Sequence, residues 1–231
     1  MSLTLPRRKG GQPVCNSDRL LVEQLEHEII QMQNATVSAL SEMLDLKDIE
    51  TGTHSTRLAE WARRIGELTE MSEPDLRDLE IGAILHDIGK NGVPESILRK
   101  PGKLTEEERK VVEKHSEYGW AILKAIPGFG RASLLVLHHH ERMDGRGYPS
   151  KLKGSEIPIG ARIISVIDSF DAMVSDRAYR KGLGVDEAMR RLLADSGFQF
   201  DKMIVDAFCR IAEQDFADVY ETALLPGART S

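Results

Sequence analysis

Two aspartates sit where a water-soluble chain tolerates charge least. Asp87 follows the run Ile81-Gly-Ala-Ile-Leu-His86, and Asp168 closes the run Ile163-Ile-Ser-Val-Ile. A buried carboxylate is costly unless it is paired or bound to a metal, so any fold for this chain must bring partners to both. The pattern around them says what kind of fold that is. Apolar residues recur at three-four spacing in segment after segment, and no stretch keeps the strict alternation of a half-buried strand. Ile163–Ile167 comes nearest, yet it runs smoothly into helical spacing. The expected fold class is all-α.

Punctuation divides the chain. Residues 1–17, with Pro6, Gly10, Gly11 and Pro13, read as a flexible leader. Residues 18–48 form a leading helix, in which Leu25, Ile29, Met32, Thr36, Ala39, Met43 and Leu46 share one stripe. That stripe is expected to pack on the helix's own domain; a coiled-coil dimer or a signal-relay helix is the alternative. Residues 49–225 form the main domain and 226–231 a tail. Within the domain, helices are expected over 53–69, from Pro74 to His86-Asp87, from the Thr105 cap to about Ile126, and over 131–140. After a loop at 141–159 come helices at about 160–175, 185–195 and 201–217.

Composition narrows function. With 231 residues, one domain plus a helical extension is the natural size at roughly 150 residues per domain. Lys and Arg total 31 against 37 Asp and Glu, a formal charge of −6, which disfavours long nucleic acids. No apolar stretch reaches the ~20 residues that span a bilayer, so membrane insertion is not expected. The opening residues lack the apolar core of a secretory signal, and Cys15 and Cys209 build no disulfide framework. Both point to the cytoplasm.

The histidines carry the chemistry. His54, His86, His115, His139 and His140 fall on different expected helices or at their ends. One histidine on an apolar face is usually a core residue; several converging with Asp87 and Asp168 make a non-haem metal cluster. Glu50 lies four residues before His54, on the same face if that helix extends back so far. Nitrogen and oxygen donors without thiolates favour iron, manganese or another borderline divalent ion over a structural zinc.

Leu85-His86-Asp87-Ile88-Gly89-Lys90 resembles the signature of the HD superfamily of metal-dependent phosphohydrolases. His139-His-Glu-Arg-Met-Asp-Gly-Arg-Gly-Tyr-Pro149 resembles the HHExxDGxGYP segment of its HD-GYP branch. Segments at 98–105, 157–163, 168–172 and 175–180 follow that family's order, and the match runs from about Glu50 to Phe208. The family's Pro is replaced by Ala178, which removes no functional group.

The resemblance implies an HD-type helical bundle with additional C-terminal helices. It implies a phosphodiesterase that hydrolyses cyclic di-GMP to pGpG, and on to GMP if the pocket accepts a second cut. It carries metal-ligand roles onto His54, His86, Asp87, His115, His139, His140 and Asp168, holding two divalent ions. Glu50 matches the additional ligand of members that hold three. Asp87 is placed to bridge metals, and Lys90, about a turn further on, to reach the scissile phosphate. Arg177 and Arg180 suit a phosphate clamp. Tyr148 is expected at the guanine end of the pocket, and Asp171 either behind a ligand histidine or against guanine or water. His27 and His138 read as structural. The Gly-Tyr-Pro loop is also expected to meet protein partners, and the leading helix to make a homodimer or to join an upstream sensor or receiver domain. Two rivals remain: a module that senses cyclic di-GMP without turnover, and an HD hydrolase acting on another nucleotide, hybrid cyclic dinucleotides included.

Overall fold

A computed structural model describes residues 16–45, 53–175 and 181–216. Glu50, Arg177 and Arg180 lie outside these residues, as do residues 1–15 of the leader and the tail; Asn16 and Ser17 already belong to a helix. Helices follow in the order α1 (Asn16–Asp45), α2 (Thr53–Leu68), α3 (Glu73–Leu85), α4 (Glu95–Leu98), α5 (Glu106–Glu113) and α6 (His115–Lys124). Then come α7 (Gly130–His138), α8 (Ile159–Val174), α9 (Val185–Ala194) and α10 (Lys202–Asp215). Short 3-10 turns occupy Ile88–Gly92 and Gly154–Glu156. No strand forms among the described residues, only one isolated bridge between Ser196 and Phe200. The all-α expectation holds, and Ile163–Ile167 is helical.

Helix α3 organises the molecule. Its start carries Pro74 with Glu73 and Asp75 in the first turn, where acids suit the exposed N–H groups. Leu76, Leu79, Ile81, Gly82, Ala83 and Leu85 are all buried, so the helix is enclosed rather than amphipathic. It touches α1, α2, α7 and α8. Leu79 and Ala83 join one core with Leu58, Trp61, Ile65, Ile164, Phe170, Leu192 and Phe208. Ile81 and Leu85 join a second core with Val37, Leu44, Ile88, Leu123, Phe129 and Val136. His86 and Asp87, at the end of α3, therefore emerge at the seam between two cores.

Two expectations need correction. The helix from Thr105 to Ile126 is two helices. Thr105 caps α5 with the reciprocal box to Glu108, but the chain bends at Lys114 and His115 opens α6. The bend lets α6 lie directly on the turn after Asp87: a Cβ on Gly89 would stand 1.8 Å from the His115 carbonyl oxygen. Only glycine fits there. The second correction concerns α1, which packs on its domain through Val37, Leu40 and Leu44. The stripe expected to do so stays largely outside, with Leu25, Ile29, Met32 and Met43 exposed. The two stripes differ by one residue, about 100° round the helix.

Candidate metal centre

Each histidine of the centre sits where a helix begins or ends. There, free backbone groups are available to orient a ring. His86 follows the last turn of α3, and its Nδ1 donates to the Ala83 carbonyl at 2.9 Å. His115 opens α6 and donates to Val112 O at 2.8 Å. His139 closes α7 and donates to Val136 O at 2.7 Å. A carbonyl only accepts, so all three rings carry their proton on Nδ1 and turn Nε2 inward. His54, in the first turn of α2, is oriented differently. Its Nδ1 bonds Asp171 Oδ2 at 2.5 Å, and Arg57 Nε holds the other Asp171 oxygen at 2.6 Å.

The inward atoms form two groups. Donor atoms of His54, His86 and Asp168 all lie within 4.8 Å of one another, as do those of His115, His139 and His140. Asp87 stands between the groups. Its Oδ2 is 3.2 Å from His86 Nε2 and its Oδ1 is 3.5 Å from His115 Nε2. Lys90 Nζ pairs with Asp87 Oδ2 at 2.7 Å from the rim, where its side chain remains 24% exposed.

The electrostatics suit cations. Burial lowers the pKa of His115, His139 and His140, the last to about 3, so these rings are neutral near pH 7. His115 and His139 then turn bare Nε2 lone pairs toward each other across 3.3 Å. That contact is unfavourable unless a cation shares it. His86 is the exception. Burial opposes its charge, yet Asp87 and Asp168 outweigh burial and hold its pKa well above the ordinary value. A proton on His86 thus stands where two carboxylates ask for positive charge. Asp87 and Asp168 stay ionised, because against the cost of burial Lys90 and His86 lower the first and His86 lowers the second. Imidazole nitrogens, two carboxylates and no thiolate fit divalent ions of the iron or manganese type.

The loop after α7 folds back over this centre. A Cβ on Gly147 would stand 2.5 Å from Glu141 Cα and 2.6 Å from His140 O. Glu141 is buried and its oxygens accept from Ser150 N at 2.6 Å and Leu152 N at 3.1 Å. The ring of Tyr148 stacks on His140, 4.8 Å between centroids and tilted by 33°. Of the expected site residues, the structure brings together His54, His86, Asp87, Lys90, His115, His139, His140, Tyr148, Asp168 and Asp171. For Asp171 it separates the two readings. Its oxygens are engaged by His54 and Arg57, and it is 1% exposed, so it stands behind His54 and is closed to solvent. Arg57 and Glu141 were not anticipated as supports. Arg57 had a signal, since a residue one turn after His54 shares its helix face. Glu141 had none, because its partners are backbone groups nine and eleven residues away.

The HD domain family model matches residues 38–204 of the chain. The chain belongs to the HD domain family. The HD-GYP resemblance is borne out by curated relatives. The cyclic di-GMP phosphodiesterase response regulator RpfG of Xanthomonas campestris pv. campestris is 38% identical over 80% of this chain and 49% of its own length. A cyclic di-GMP phosphodiesterase of Thermotoga maritima is 41% identical over 78% of this chain and 50% of its own. The chain thus spans about half the length of these relatives. Among solved structures, a cyclic GMP-AMP specific phosphodiesterase of V. cholerae superposes with a TM-score of 0.61 at 20% identity, covering 84% of this chain and 53% of that one. The HD fold is shared. No helix among the described residues is long and apolar enough to cross a membrane.

Proposed function

We propose that this chain hydrolyses cyclic di-GMP to pGpG and onward to GMP, in the cytoplasm, using two or three divalent ions, iron first and manganese as the alternative. One observation carries the reading: two groups of inward ligand atoms share Asp87, and a lysine is paired to that carboxylate at the open rim. His54, His86, Asp87, His115, His139, His140 and Asp168 would hold the ions, with Glu50 as the eighth ligand of a three-ion form. Bound there, the ions supply neutralisation of the phosphodiester oxygens and a water acidic enough to lose its proton near neutral pH.

The chain's own groups do the rest. Asp87 keeps its carboxylate ionised and spans both groups, fixing their separation. Lys90 places an ammonium beside Asp87, within reach of phosphate oxygens that gain charge as the bond to the leaving oxygen breaks. Asp171 and Arg57 lock the tautomer and direction of His54. Tyr148, braced on His140, offers an aromatic wall to the guanine end. Arg177 and Arg180 suit a clamp on the second phosphate.

The test combines metal analysis of protein purified without oxygen with product chromatography on a panel of cyclic dinucleotides, hybrids included. Expected are two or more ions per chain, turnover of cyclic di-GMP, and GMP as the late product. A two-ion protein that stops cleanly at pGpG would sink the three-ion, two-step form. Tight binding without hydrolysis after loading with reduced iron or manganese would replace the enzyme by a sensor. Preference for a hybrid dinucleotide would move the substrate.

A further inference from the structure

The loop over the metal centre is gripped from a distant part of the chain. Between α9 and α10, residues 195–200 fold into one tight turn. The N–H groups of Phe198, Gln199 and Phe200 all donate to the Asp195 carbonyl, at 3.2, 2.9 and 3.2 Å. Gly197, with φ at +83°, donates to Phe200 O at 2.8 Å. The turn is anchored from below as well. Phe200 is buried in the core that holds Trp61. Asp201 accepts from Arg162 Nη1 of α8 at 2.6 Å and caps α10 through Met203 N at 2.9 Å.

From this fixed turn Gln199 reaches the loop after α7 twice. Its carbonyl accepts from Met143 N at 3.0 Å, and its side-chain Oε1 accepts from Arg142 Nη1. Arg142 turns its other edge to Asp144, Nε to Oδ1 at 3.1 Å and Nη2 to Oδ2 at 2.8 Å. This fork holds the Asp144 pKa down to about 2, so the pair stays charged near neutral pH. Asp144 Oδ1 in turn accepts from Arg146 N at 3.0 Å. Arg146 precedes Gly147, which lies against His140 and Glu141, and Tyr148 comes next. An unbroken run of hydrogen bonds therefore leads from Gln199 to the residue before that glycine. Glu141 holds the far side of the loop through Ser150 and Leu152; Arg142 and Asp144 hold the near side.

We propose that Gln199 is a positioning residue for substrate: through Arg142 and Asp144 it fixes the place of Tyr148, and with it the affinity for the base end of the cyclic dinucleotide. This rests on the proposed function, in which Tyr148 faces guanine. The Gln199 side chain bonds the loop and not a candidate metal ligand, so it acts on binding and leaves the chemistry at phosphorus alone.

Gln199→Ala keeps the backbone bond to Met143 and the Asp201 cap, so the variant should retain its far-UV circular dichroism and its metal. Hydrogen exchange, resolved to single residues by mass spectrometry, reads the hold without substrate. The Arg146 and Tyr148 amides should exchange about 3–10-fold faster, the weight of one ordinary hydrogen bond, while the Val205 amide in α10 should not change. KM for cyclic di-GMP should rise by about the same factor, with kcat within about twofold. Gln199→Glu keeps an acceptor at the same reach and should restore both. In an Arg142→Ala background Gln199→Ala should add nothing, because the two side chains act as one unit.

Unchanged exchange at Arg146 and Tyr148 overturns the proposal. So does equally faster exchange through α10, which would make Gln199 a stabiliser of the turn and no more. A fall in kcat with KM unchanged overturns the link to substrate affinity. A wild-type chain that leaves cyclic di-GMP intact strikes the proposed function instead, and the exchange comparison still decides the hold on Tyr148.

Discussion

The two candidate ligand groups of the centre are built on different plans. His115, His139 and His140 are neutral nitrogen donors, and the first two are oriented by the backbone carbonyls of Val112 and Val136. His54, His86 and Asp168 include a carboxylate, and behind His54 stands a second one, Asp171. The first plan has no negative charge of its own, and its His115 and His139 are held by groups that no substitution can remove. The second has its own charge, and while His86 is oriented by a backbone carbonyl, His54 is held by a side chain. Asp87 supplies the charge that the all-imidazole group lacks. The difference teaches where each group is vulnerable: one through Asp87 alone, the other through its supports as well.

The largest effect should come from Asp87→Asn, which keeps the shape and removes the shared charge. Both groups should lose their ions, and cyclic di-GMP turnover should fall by at least about 1,000-fold. Metal analysis beside kinetics checks this, and a full metal complement in the variant would show that Asp87 bridges nothing. Asp171→Asn should act on one group only. The amide takes no proton from His54 and holds Arg57 less firmly, so affinity or activity should drop about 10–100-fold, as for other groups that orient a metal-binding histidine. Ions held by His115, His139 and His140 should be unaffected. Equal loss from both groups would erase the distinction.

Much of this was legible in the sequence, because the ligands are chemically distinctive. The runs enclosing Asp87 and Asp168 announced carboxylates in need of partners, and five histidines announced those partners. What sequence did not convey was contact between distant backbones. No proline or glycine marks the bend at Lys114; it is imposed by the approach of His115 to Gly89, 26 residues earlier. In α1 the stripe was visible, but two stripes one residue apart look alike until the body chooses between them. Asp171 stood as one of two readings, and only its hydrogen bonds to His54 and Arg57 separate them.

The protonation states sharpen the comparison in a smaller way. In the metal-free protein His86 keeps a proton near pH 7, because Asp87 and Asp168 outweigh burial. His115, His139 and His140 do not, because burial depresses them. An ion entering the first group must displace the His86 proton, so its affinity should rise as pH rises toward the His86 pKa, about tenfold per unit. An ion entering the second group finds bare nitrogens, so its affinity should be flat between about pH 6.5 and 8. Calorimetry in buffers of different protonation enthalpy, on His139→Ala and on Asp168→Ala, isolates each group. One proton released in the first variant and none in the second is the expected result.

The smallest effect concerns Glu141, the carboxylate next to the all-imidazole group in sequence. Glu141 follows His140 directly, yet its oxygens accept from Ser150 N and Leu152 N instead of orienting a ring of that group. It supports the loop that stacks Tyr148 on His140, as Asp171 supports a ligand itself. Glu141→Gln leaves one acceptor oxygen for two backbone donors, at a cost of about 1–3 kcal/mol if the orphaned N–H stays buried. Metal content should stay intact and KM should rise more than kcat falls if, as proposed, the loop forms part of the substrate wall. Loss of metal from Glu141→Gln would mean that the two groups share one plan after all, each relying on a carboxylate behind its histidines.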